Sequence, residues 1–289
     1  MAERPDLEYV VPILHQALVG RCITSVRVKK PVVLRVAVPG DVENLLPGLS
    51  FESVARHGHF VIFSLANAQT TRPALSLVVS PMLAGRFAVS EHATKDPADL
   101  AVAIRFDNSE LRYRDDVQMG KVYVVPKDAW HLVPGMADIG VDVLNKRLFT
   151  RTAFRTIARG RRDQAKVFLM DKQALDSMGN AYADEVLFAA GIHPKTMVSR
   201  LSDQDIDRLH DAIVHVLIDA RATLGKRKPA MDVKLRDFLK VRGRHGEPCP
   251  RCGTKIRSAG VHGHDANFCP TCQPATRKSG IVDWRGPPK

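Results

Sequence analysis

Four cysteines near one end of the chain are the residues whose spacing speaks most directly of chemistry: Cys249-Pro250-Arg251-Cys252 and, after sixteen intervening residues, Cys269-Pro270-Thr271-Cys272. Each C-x2-C pair lets two thiolates reach one ion, and two such pairs complete a tetrahedral set with no position left for a substrate. The pattern predicts one structural zinc ion held by Cys249, Cys252, Cys269 and Cys272. Gly253 follows the first pair, where a tight turn needs an unhindered backbone. Arg242, Arg244, Lys255, Arg257 and Lys278 flank the site, and a basic hairpin made rigid by a metal suits phosphate contacts, although such hairpins also serve protein contacts. The fifth cysteine, Cys22, lies in the apolar stretch Leu18-Val19-Gly20-Arg21-Cys22-Ile23 and is expected to be a buried structural thiol.

The whole chain has the same polarity as this hairpin. Lysine and arginine number 43 against 31 acidic residues, a net charge of +12 that favours a polyanionic partner, nucleic acid first. With 289 residues, 45% of them hydrophobic and 26% charged, two or three folded units are expected. No apolar run reaches the roughly 18 residues of a membrane span, and Met1-Ala2-Glu3-Arg4-Pro5-Asp6 lacks the order of a signal peptide, so a cytoplasmic protein is expected.

The elements that must position these residues follow from periodicity. Leu7, Val10, Val11, Leu14 and Leu18 recur at helical intervals, predicting a helix from Asp6 to Leu18 that starts nearer Tyr9 if Pro12 is confined to its first turn. Short β-branched runs follow, among them Ser25–Val28, Val32–Val36 and Phe60–Phe63, with turn signals at Pro39-Gly40, Pro47-Gly48 and Asp107-Asn108, the pattern of an antiparallel sandwich. From about residue 140 the apolar residues recur every three or four positions. Met178-Gly179-Asn180 should break one helix, Gly191-Ile192-His193-Pro194 should stop the next, and Ser202 should cap a third. The expected division is 1–133 for the sandwich, 134–228 for the helical domain, 229–273 for a basic segment with the zinc hairpin, and 274–289 for a disordered basic tail.

Three separated stretches together resemble the formamidopyrimidine-DNA glycosylase and endonuclease VIII family of base-excision repair enzymes, of which this chain is identified as a divergent member. The most specific is Met178-Gly179-Asn180-Ala181-Tyr182-Ala183-Asp184-Glu185-Val186-Leu187-Phe188-Ala189-Ala190-Gly191-Ile192-His193-Pro194, which is similar to the family's helix-two-turn-helix signature. The others are the N-terminus, with Glu3, Pro5 and Glu8 in step, and the hairpin from Gly246 to Gln273. The resemblance implies an α+β multidomain fold: an N-terminal β-sandwich with flanking helices, a helix-two-turn-helix domain and a C-terminal zinc-finger hairpin. It also implies a damaged-base DNA glycosylase with abasic-site lyase activity, acting as a monomer on double-stranded DNA that is damaged or abasic.

By the same resemblance Asn180 and Lys166 contact the DNA backbone, and the amine exposed at Ala2 on loss of Met1 is the nucleophile, with Glu3 transferring protons. Alanine stands where the family has proline, so the amine is primary. Other positions also depart. His59 replaces a turn lysine that holds the lesion's phosphate, and becomes a candidate proton acceptor. Leu83 takes the place of a void-filling methionine, with Ser80 replacing a phosphate-binding histidine, and Val117 and Met119 stand for an arginine and a phenylalanine. Gln118 beside them can hydrogen-bond an orphaned base, and His264 replaces a DNA-binding arginine of the zinc hairpin. For Leu83, Val117 and Met119 ordinary core packing is the competing reading. The competing function is a paralogue that binds damaged or distorted DNA without excising a base.

Overall fold

The computed structural model describes residues 3–66, 74–91, 94–176 and 178–275. Ala2 and the tail beyond residue 275, for which a nucleophile and disorder are expected, lie outside them. The chain divides into two compact units, the first comprising residues up to Gly140 with Ile218–Leu235, the second comprising Val141–Leu217 and the residues from Arg236 onward.

The first unit opens with α1 (Arg4–Leu18), which buries Leu7, Val10, Val11, Leu14 and Leu18. The helix starts a turn or more before the point that Pro12 suggests. Pro5 occupies the first turn, where no amide donor is needed, and the Glu3 N–H is taken by the Asp6 carboxylate at 3.0 Å. Pro12 therefore sits in the helix interior, and the buried apolar face carries the helix through it.

Among the described residues nine strands follow: β1 (Ile23–Val28), β2 (Leu34–Val36), β3 (Ser50–His57), β4 (Phe60–Ala66), β5 (Leu75–Ser80), β6 (Arg86–Glu91), β7 (Leu100–Phe106), β8 (Ser109–Arg114) and β9 (Lys121–Pro126), with the short helix α2 (Val42–Leu45) between β2 and β3. They form a four-stranded sheet in the order β1-β7-β8-β6 and a five-stranded sheet in the order β2-β9-β5-β4-β3. Side chains from both sheets meet in one core: Val26, Val102, Ile104, Leu111 and Tyr113 from the first, Val54, Phe63, Leu65, Leu77, Val79 and Val124 from the second. This is the expected sandwich, with two differences. β2 pairs with β9 in parallel, and the strand expected over 32–36 is shortened because Pro31–Val33 wind into a 3-10 turn. Cys22 is exposed rather than buried, since strand alternation turns Ile23 inward and its neighbour out.

The second unit holds α3 (Arg151–Arg159), α4 (Ala165–Met170), α5 (Asn180–Ala190), the start of α6 (Asp203–Arg227), and a two-stranded hairpin of β10 (Arg257–Val261) and β11 (His264–Phe268). α6 carries over from this unit into the first at Ile218. Its boundaries fall where capping chemistry puts them. Gly191 ends α5 with φ +70, Ile192 donating back to the Leu187 carbonyl at 3.0 Å, and the Ser202 hydroxyl accepts the Asp205 N–H at 3.1 Å ahead of α6. Against α6, α3 lays a ladder of three ion pairs, Arg151 to Asp211, Arg155 to Asp207 and Arg159 to Asp203. α5 is buried on nearly every side, and its carboxylates Asp184 and Glu185 are held by protein partners.

Candidate functional site

In the second unit the four cysteine sulfurs all lie within 4.8 Å of one another. Individual separations are 3.9 Å for Cys249 to Cys272, 3.4 Å for Cys252 to Cys269 and 3.5 Å for Cys252 to Cys272. A zinc ion about 2.3 Å from each of four sulfurs sets them about 3.8 Å apart, so the set fits one tetrahedral ion. Two knuckle amides, Arg251 N–H to Cys249 Sγ and Cys272 N–H to Cys269 Sγ, are each at 3.4 Å. Gly253 turns the first knuckle with φ +75, as expected. The cofactor is a structural zinc held by Cys249, Cys252, Cys269 and Cys272.

The same metal-bound segment closes the hairpin of β10 and β11 through His262 and Gly263, both at positive φ. His264, the first residue of β11, is exposed beside this turn. Asp265, next along, reaches the helices. Its side-chain oxygen accepts from Asn180 Nδ2 at 2.8 Å and from Arg242 Nη2 at 3.1 Å, and its carbonyl accepts from Lys166 Nζ at 2.8 Å. Asn180 is the first residue of α5, after an extended Gly179.

Lys166 is neither a solvated helix charge nor an open cation. It is fully buried, and its ammonium donates to Asp184 Oδ1 at 2.5 Å, to the Asp265 carbonyl and to the Asn180 carbonyl at 3.4 Å. Asp184 also accepts from the Asn267 N–H at 3.0 Å and from Arg242 at 3.1 Å. Burial works against both charges, pulling the Lys166 ammonium down and pushing the Asp184 carboxyl up, and the contact between the two opposes it. Burial opposes the charge of Asp265 too, but Arg242 and Asn180 overcome it and hold that carboxyl below its ordinary range. Neighbouring Glu185 receives the backbone N–H groups of Lys240, Val241 and Arg242 at 2.8 to 2.9 Å, which fixes the strap leading into the zinc knuckles.

In the first unit Glu3 is buried at the head of α1 and is not a solvated terminal acid. His59 stands in the turn between β3 and β4, half-buried, its ring 4.1 Å from that of Phe60. That turn is fixed by Gly58: its φ is +56, and a Cβ there would lie 2.5 Å from Ile139.

Leu83, Val117 and Met119 are not core residues. They are 52%, 52% and 42% exposed, on the loops β5–β6 and β8–β9. The second loop is wound on one buried carboxylate: Asp115 accepts the N–H of Val117 at 3.1 Å, of Gln118 at 2.9 Å and of Gly120 at 2.7 Å, and Gln118 is held at φ +59. Both loops close on the buried Tyr113 hydroxyl, since a Cβ on Gly85 would lie 2.5 Å from it and one on Gly120 1.8 Å. The Leu83 carbonyl accepts from Lys234 at 2.7 Å. Sequence reasoning named the apolar residues and missed Asp115, which winds the loop that carries Val117 and Met119, although an aspartate at the head of a short strand connection is a turn-forming signal. It also missed Asp184 and Asp265.

Comparisons with known proteins match this geometry over nearly the whole chain. Residues 1–122 match the family model of the formamidopyrimidine-DNA glycosylase N-terminal domain, 139–228 that of the formamidopyrimidine-DNA glycosylase H2TH domain, and 246–275 a zinc finger found in FPG and IleRS. A formamidopyrimidine-DNA glycosylase of Pelotomaculum thermopropionicum is 32% identical, over 94% of this chain and 99% of its own. One of Symbiobacterium thermophilum is 31% identical over 100% of this chain and 94% of its own. Among solved structures, Lactococcus lactis Fpg in complex with DNA containing an oxidized pyrimidine superposes with a TM-score of 0.84 at 26% identity, over 94% of this chain and 100% of that one. The same protein with DNA containing an abasic site gives 0.83 over the same shares.

Proposed function

The chain belongs to the formamidopyrimidine-DNA glycosylase family, and from that membership we propose that it excises damaged bases from double-stranded DNA through the amine of Ala2, with Glu3 as the proton-transfer group. The observation that carries this reading is the burial of Glu3 directly after the amine: a carboxyl shielded from water at the head of a helix exchanges protons with a bound sugar, whereas a solvated acid would be levelled by solvent. The relatives are named as glycosylases, which does not favour binding without excision.

The chemistry balances with this chain's own groups. The neutral Ala2 amine gives its lone pair to the anomeric carbon, the glycosidic bond breaks, and its electrons leave with the base, which takes up a proton. Loss of the amine proton and opening of the sugar ring leave an imine between Ala2 and the sugar. Abstraction of the adjacent sugar proton then expels the 3′ phosphate, with His59 as the acceptor. An α-amine of ordinary pKa near ~8 is partly neutral at physiological pH, so a primary amine serves.

Leu83, Val117 and Met119 enter the stack from which the damaged nucleotide has been turned out, and Gln118 faces the orphaned base. Asn180 and His264 face backbone phosphates, and Lys166 acts on them by fixing the Asp265 carbonyl and the start of α5. No helix among the described residues is long and apolar enough to cross a membrane. As an enzyme that acts on chromosomal DNA, it works in the cytoplasm, at the nucleoid if the cell is bacterial.

The test is borohydride reduction on duplex DNA with an abasic site. An adduct whose mass maps to the peptide beginning at Ala2 is expected. No adduct, from protein whose N-terminus is shown to have lost Met1, overturns the amine mechanism.

A further inference from the structure

The side-chain carboxylate of Asp265 is seated where the second unit is built to receive an anion. Arg242 presents its guanidinium as a fork, Nη2 at 3.1 Å from Asp265 Oδ1 and Nη1 at 3.0 Å from Oδ2, and the Asn180 amide adds a third donor at 2.8 Å. Planar, bidentate pairing of this kind recognises carboxylates and phosphates alike. Lys166 and Arg242 bring two positive charges to the one negative charge of the buried Asp184, while the buried Glu185 carboxyl is taken up by backbone N–H groups of the strap, so Asp265 is the second carboxylate to meet the Arg242 guanidinium. Arg242 cannot move off, because the same guanidinium is tied to Asp184 at 3.1 Å and its backbone N–H to Glu185 at 2.9 Å.

The occupant is less firmly held than the seat. Asp265 is 64% exposed at its side chain, while its backbone is anchored separately through the carbonyl that Lys166 and Arg242 hold at 2.8 and 3.1 Å. Rotation of one side chain into solvent opens the seat and leaves the hairpin docked.

We infer that Arg242 and Asn180 form a phosphate seat for the DNA backbone, that Arg242 is a phosphate-binding residue, and that Asp265 is an internal occupant which the phosphate must displace. This rests on the DNA-binding reading above and adds a specific determinant of affinity. A phosphodiester presents the same pair of anionic oxygens to the fork as the carboxylate does, so DNA and Asp265 compete for the same donors. Removing the carboxylate therefore strengthens binding, contrary to the usual effect of removing a contact.

The experiment compares the full zinc-loaded protein with Asp265→Ala, Asp265→Asn, Asn180→Ala and the double variant Asp265→Ala/Asn180→Ala. Affinity for a duplex with a stable abasic-site analogue is measured across a salt series, and melting temperature with and without inorganic phosphate. Asp265→Ala should bind the duplex roughly tenfold more tightly, the weight of one charge-assisted hydrogen bond, and Asp265→Asn should fall between it and the parent. Inorganic phosphate should raise the melting temperature of Asp265→Ala more than that of the parent. Both gains should disappear in the double variant. Arg242→Gln should reduce the magnitude of the salt slope by about 0.9, one phosphate contact, which a merely structural arginine would not do. Equal or weaker binding by an Asp265→Ala protein of native melting temperature and zinc content overturns the inference. Phosphate stabilisation of Asp265→Ala without duplex binding by any variant supports the seat and overturns the DNA reading. Neither effect overturns both.

Discussion

Two buried carboxylates, one in each unit, do different work. Asp184 joins elements far apart in sequence: the α4 lysine Lys166, the Arg242 strap and the Asn267 amide of β11 all converge on it. Asp115 joins only its own loop, through the N–H groups of Val117, Gln118 and Gly120. The first is paired with two cations, Lys166 buried and Arg242 partly so, and the second with neutral backbone donors, so breaking them should have different consequences. A carboxylate that crosses the fold carries stability. One that winds a single loop carries the placement of whatever that loop displays, here Val117 and Met119.

The largest expected effect is that of Asp184→Asn, which leaves Lys166 as a buried cation without its ion-pair partner and should cost about 3–5 kcal/mol of stability. The loss should depend on pH with a definite sign. Burial, helped by the nearby Arg242 charge and opposed only by Asp265, then depresses the folded-state pKa of Lys166 below the unfolded value of about 10.4, so the folded state favours the neutral amine. The unfolded chain binds the proton more tightly, and stability lost at neutral pH should return as pH rises towards that unfolded value. Denaturant titrations at several pH values measure this. A deficit independent of pH would show that Lys166 is not the group left exposed to the penalty.

Asp115→Ala comes next. Three loop amides lose their acceptor, but the loop is at the surface and water can replace it in part, so a loss of about 1–3 kcal/mol is expected, with the sandwich intact. The larger consequence should be functional. With Val117 and Met119 no longer held, the fluorescence of a 2-aminopurine placed opposite a lesion should respond less to protein binding. A large stability loss with unchanged fluorescence would erase the distinction between the two carboxylates.

Legibility in the sequence follows the same division by range. Features set by near neighbours could be read directly: the zinc knuckles, the Gly191 stop, the Ser202 cap and the helix-two-turn-helix signature all depend on residues within a few positions. The start of α1 was misplaced because Pro12 outweighs the apolar face only in a local view, and that face is satisfied by a core supplied from both sheets. Lys166 could not be read, because its partners lie 18 and 99 residues away and a lysine on a helix has the same local pattern whether solvated or buried. Leu83, Val117 and Met119 were ambiguous for the opposite reason. Aliphatic residues in a strand-rich stretch resemble core, and only the closure of two loops on Tyr113 turns them outward.

The smallest expected stability effect, and the finest test of the comparison, is Leu83→Ala. An exposed side chain away from any cap or buried pair changes stability by no more than about 0.5 kcal/mol, so melting should be nearly unaltered. Excision from duplex DNA should nevertheless fall, because the wedge that keeps the stack open has lost its bulk. Excision from a single-stranded or mismatched substrate, which needs less unstacking, should fall less. That difference separates a wedge from a simple surface residue. Equal loss on both substrates would place Leu83 at the reacting sugar, and no loss on either would return it to the unremarkable exposed leucines of any protein surface.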